Sequence, residues 1–145
     1  MELIHGPLAQ TNTAVTILRL PVERLTLAKR RWRGTSEDGQ EFGFDLERPL
    51  GDGAAFFKSE SALYVIAQKY EPVLEIALGT DAAAAARLGW IVGNLHFAIE
   101  VAESVVRVTD DPAIRQLCER EAIAFTACKR VFHPLGGGHS HGHSH

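Results

Sequence analysis

Cysteine is scarce: Cys118 and Cys128 are the only two in 145 residues. They are too few for a disulfide framework and too far apart for a Cys-x-x-Cys metal site, so both are expected as buried free thiols. Long apolar runs are missing too, and no stretch approaches the roughly 18 residues of a membrane span. The start, Met1-Glu2-Leu3-Ile4-His5-Gly6-Pro7, lacks the basic and apolar regions of a signal peptide, which predicts a soluble, cytoplasmic chain. Neither charge is in excess. Fifteen Lys and Arg against 18 Asp and Glu leave a net charge of −3, with no bulk electrostatic reason to bind nucleic acid or membrane. No nucleophile with a base, phosphate loop or paired-carboxylate cleft is evident, so no catalysis is expected. What remains is a chain with 46% hydrophobic residues, able to build a packed core, and seven histidines.

The first half is punctuated by turn residues. Residues 13–20 alternate as a strand, with Pro21 expected to end it. Asp38-Gly39 predicts a hairpin between Arg31-Trp32-Arg33-Gly34-Thr35 and Glu41-Phe42-Gly43-Phe44-Asp45-Leu46. Gly51-Asp52-Gly53 is another turn, and 54–57 with 62–67 read as a further hairpin. Short strands at roughly ten-residue spacing imply a small β-domain, assigned to residues 1–71. The cationic run Lys29-Arg30-Arg31-Trp32-Arg33 is read as a solvated face.

The second half changes character at Glu71-Pro72. A strand over 73–78 is followed by Thr80-Asp81, which can cap a helix over 82–92 that opens with five alanines. Gly93-Asn94 is a helix stop, because both residues tolerate the left-handed conformation. Phe97, Ile99 and Val101 then alternate with Ala98 and Glu100 as a strand, and this places His96 at the rim of a sheet. Residues 104–108 can pair back as a hairpin, Asp110-Asp111-Pro112 starts a second helix, and 123–132 form a last strand. The predicted class is α+β: a small N-terminal β-domain, a ferredoxin-like βαββαβ domain over 72–134, and a flexible, disordered Gly/His-rich tail over 135–145.

In that tail His139, His141, His143 and His145 alternate with Ser and Gly after three glycines. Glycine and serine give reach, and alternate spacing lets several imidazoles converge on one ion. Neutral imidazole suits nickel, copper and zinc. His133, just before Pro134, is the last histidine tethered near the fold.

The motif Gly93-Asn94-Leu95-His96, after an alanine-rich helix and before Phe132-His133-Pro134 and a histidine tail, resembles the UreE urease accessory proteins, a nickel-delivering family. The family usually reads Gly-Asn-Arg-His here, so Leu95 departs from it. The resemblance implies a homodimer in which His96 of each subunit meets its symmetry mate on one Ni(II) ion, with Zn(II) or Cu(II) able to bind in vitro. The metal ligands it suggests are His96, His133, His139, His141, His143 and His145. The implied partners are apo-urease and the other urease accessory proteins. Two other readings stand beside it: a passive cytoplasmic nickel or zinc buffer in which the tail alone matters, and a metal-dependent hydrolase, which needs three ligands, a water and a general base.

Overall fold

The computed structural model describes residues 1–9 and 16–136. The chain divides into two compact units, one from Met1 to Lys69 and one that begins at Tyr70. Residues 13–15 of the first predicted strand, and the tail histidines His139, His141, His143 and His145, lie outside the described residues.

The first unit is built from β1 (Glu2–Ile4), β2 (Thr16–Val22), a single helical turn α1 (Arg24–Leu27), β3 (Arg31–Thr35), β4 (Glu41–Asp45), β5 (Ala55–Lys58) and β6 (Ala62–Gln68). Two three-stranded sheets result, in the orders β1-β4-β3 and β2-β6-β5. The Asp38-Gly39 hairpin forms as expected, with Gly39 at a φ of 89°. The Asp38 carboxylate accepts from the Ser36 hydroxyl, the Gln40 amide and the Tyr64 hydroxyl, which together hold it below its ordinary pKa. Aromatic rings fill the core: Trp32 stacks on Phe44 at 3.9 Å, and Phe42 meets Phe56 edge-on. Pro21 lies within β2 instead of ending it. Edge strands tolerate a missing amide donor, and β2 is an edge of its sheet.

The second unit runs β7 (Glu71–Ala77), α2 (Ala82–Gly93), β8 (Ile99–Val101), β9 (Val105–Thr109), α3 (Pro112–Arg120) and β10 (Thr126–Arg130). Its sheet order is β10-β7-β9-β8, and every neighbouring pair is antiparallel. Both helix starts are capped by the carboxylates suggested by sequence. Asp81 accepts from the Ala83 amide at 3.0 Å and Asp111 from the Ala113 amide at 2.8 Å. Leu74, Ile76, Val106 and Val108 turn one sheet face to the helices, where they pack with Leu88, Val92, Ile114, Leu117 and Cys118. The period of two sends Glu75, and with it Arg107 and Glu100, to the opposite face. Among the described residues, no helix is long and apolar enough to cross a membrane.

The chain does not stop at the edge strand β10. Residues 131–136 leave it as a strap, bury Phe132 completely, and end on β8 at the far edge, where the Leu135 amide donates to the Ile99 carbonyl at 2.7 Å. Crossing four strands spans roughly 14 Å, and the five steps from Arg130 to Leu135 reach about 17 Å when extended. The strap therefore has little slack.

Candidate metal centre

Helix α2 ends with amide bonds from Asn94 to the Trp90 carbonyl at 2.9 Å and from Leu95 to the Val92 carbonyl at 3.2 Å. Asn94 stays right-handed, with a φ of −67°. The left-handed residue is His96, at a φ of 63°, whose amide donates to the Gly93 carbonyl at 3.0 Å. This corrects the expectation on two counts. Neither Gly93 nor Asn94 supplies the left-handed turn, and His96 sits in that turn instead of on a strand. The strand begins only at Ile99, where pairing with Val108 of β9 starts.

The imidazole-bearing turn is exposed, and so are its apolar neighbours. Trp90 is 69% exposed and Leu95 39%. Exposed apolar side chains mark an interaction surface when they form a contiguous patch.

His133 lies on the strap, beyond the end of β10, and its amide donates to Glu100 Oε1 at 3.2 Å. Glu100 belongs to β8. The fold thus carries His133 from the β10 edge to the strand that follows the His96 turn. His96 is three residues before Ile99, a span of at most about 11 Å. His5 belongs to the other unit, and its Nδ1 bonds the Asp45 carbonyl at 3.1 Å.

Glu100 is the residue that sequence reasoning passed over. Its Oε2 pairs with Arg107 at 3.3 Å, and Arg107 in turn donates to Glu75 at 2.5 Å. Arg130 joins Glu75 at 2.7 Å. The Arg107 hydrogen bond, aided by the charges of Arg130 and Arg107 itself, holds the Glu75 carboxyl below its ordinary value. The hairpin read from sequence, with its turn at 102–103, would set Glu100 opposite Val105; the turn at Glu103-Ser104 sets it opposite Arg107 instead. Both cysteines are free; Cys118 is buried, with burial pushing its thiol pKa up, and Cys128 is half-buried. Among the described residues no three His, Cys, Asp or Glu side chains of one chain gather closely enough to hold a metal ion.

The description "UreE urease accessory protein, C-terminal domain" belongs to a family model that matches residues 71–145, a stretch holding the His96 turn, the strap and the tail. The chain belongs to the UreE family. The urease accessory protein UreE of Burkholderia thailandensis is 29% identical over 154 residues, covering 99% of this chain and 72% of that one. The UreE of a Chelativorans species is 32% identical over 123 residues, with 81% and 77% covered. That of Pseudomonas fluorescens is 27% identical over 148 residues, with 100% and 87% covered. The family is one of urease accessory proteins, not of the urease enzyme itself.

Proposed function

We propose that this chain is a cytoplasmic nickel metallochaperone, without catalysis of its own, that delivers Ni(II) to apo-urease together with the other accessory proteins. It works as a homodimer in which His96 of each subunit binds one shared ion at the two-fold axis. The ferredoxin-like reading of the second unit belongs to the same proposal, which also gives the β-rich N-terminal domain, residues 1–71, the role of binding partner proteins. The observation that carries it is the exposed His96 turn flanked by exposed Trp90 and Leu95. An isologous contact there would bring two imidazoles together, because the same patch is presented by both subunits.

Two imidazoles leave open positions on a metal that takes four to six ligands, and histidines from the tail fill them. From Leu135 to His139 the chain reaches about 14 Å, so His133 and then His139, His141, His143 and His145 lie within range of the shared ion. Open positions are what a delivery protein needs, since ligand exchange starts there. Calorimetric nickel titration of His96→Ala, with its mass in solution with and without the ion, tests the reading. Loss of the tight site supports it; wild-type affinity would overturn it.

One observation favours the passive buffer as a second reading: no single chain gathers three ligands among its described residues. Removing residues 139–145 separates the two. A chaperone keeps a tight site at His96 with reduced capacity, whereas a buffer loses nearly all binding.

A further inference from the structure

We infer that Glu100 is a positioning residue for metal transfer, latching the strap across the sheet so that the histidine tail starts from the His96 side. The inference rests on the reading of His96 and the tail histidines as nickel ligands.

Glu100 uses its two oxygens for different partners. Oε2 is fixed by Arg107 at 3.3 Å, and Oε1 accepts the His133 amide at 3.2 Å. Arg107 is itself fixed by Glu75, and each of these three side chains is only 16% exposed. A carboxylate so clamped is a preorganised acceptor, and its bond to a backbone amide is charge-assisted. The bond also joins the strap to the strand that leads out of the His96 turn. The second tie, Leu135 to Ile99, lies one residue further along the same edge.

Remove the latch and the strap beyond the buried Phe132 leans on the Leu135–Ile99 bond, which opens more often without its neighbour. The effective concentration of a tethered ligand depends on where its tether begins and how long it is. Each time the Leu135–Ile99 bond opens, seven residues instead of four separate the last anchored residue, now Phe132, from His139. Glu100 therefore sets how readily tail imidazoles meet an ion held at His96, without ligating it.

Amide hydrogen exchange on the full-length apo protein reads the latch directly. In Glu100→Ala, His133 and Leu135 exchange at least about tenfold faster than in wild type, the loss expected for a charge-assisted bond. In Glu100→Gln, which keeps an acceptor oxygen for the amide, protection largely returns. Nickel titration then reads the consequence as a double-mutant cycle. Glu100→Ala weakens nickel binding about tenfold in the full-length chain, and has no effect once residues 139–145 are removed. Unchanged exchange in Glu100→Ala would overturn the latch. A nickel loss of equal size with and without the tail would overturn the positioning role, as would no loss at all. If His96→Ala binds nickel like wild type, the chaperone reading fails instead, and the exchange result still stands by itself.

Discussion

His96 meets two separate requirements, a left-handed backbone and an imidazole, and substitution can pull them apart. Histidine is among the residues enriched at positive φ, but glycine adopts that conformation without strain. His96→Gly is expected to lose tight nickel binding while its melting temperature holds or rises, the gain limited to about 1 kcal/mol by the removed strain. Scanning calorimetry of the apo protein checks this, and a fall in melting temperature would mean that the turn leans on imidazole contacts. At this scale the sequence was legible wherever the interaction is local. The caps could be narrowed to Thr80 or Asp81 and to Asp110 or Asp111, because the bond is local: Asp81 and Asp111 each accept from an amide two residues on. The left-handed residue was misassigned to Gly93-Asn94, since three successive turn bonds carry the helix end past both residues before it reverses.

Among the elements, the charge ladder on the strap-covered face of the four-stranded sheet is expected to contribute to acid stability. Glu75 has a folded pKa below the ordinary value of 4.5, chiefly through the Arg107 hydrogen bond. The contribution of such a lowered carboxyl is fully present above the unfolded pKa and is lost as pH falls through the folded one. Urea midpoints should therefore drop below about pH 4.5, and less steeply in Glu75→Gln than in wild type. Equal slopes in the two proteins would mean that the pair contributes nothing to the acid response. Hairpins were readable at this scale because turn residues announce them, as at Asp38-Gly39. Pro21 misled because its effect depends on whether the strand is an edge, and neighbours in a sheet come from distant sequence. The last strand was drawn too long for a similar reason: β10 stops at Arg130, where β7 offers its last partner, Glu71.

At the scale of the whole molecule the proposed dimer makes exposed Trp90 the residue to change. An exposed tryptophan supports the isolated fold little, but tryptophan is among the strongest anchors of interfaces. Trp90→Ser should leave monomer stability within about 0.5 kcal/mol and raise the dissociation constant of the dimer at least about tenfold. Sedimentation across a dilution series measures it. A dimer equally resistant to dilution would move the interface away from the end of α2.

What the sequence determined by itself were the features decided within a few residues: caps, hairpin turns, strand periods, and the presence of His96, His133 and an alternating histidine tail. Tertiary structure alone decided the backbone sign at His96, the pairing that halts β8 at Ile99, and the path of the strap from one sheet edge to the other. The reason is range. Glu100 and His133 stand 33 residues apart, and no local preference encodes a bond that exists only once four strands have found their order.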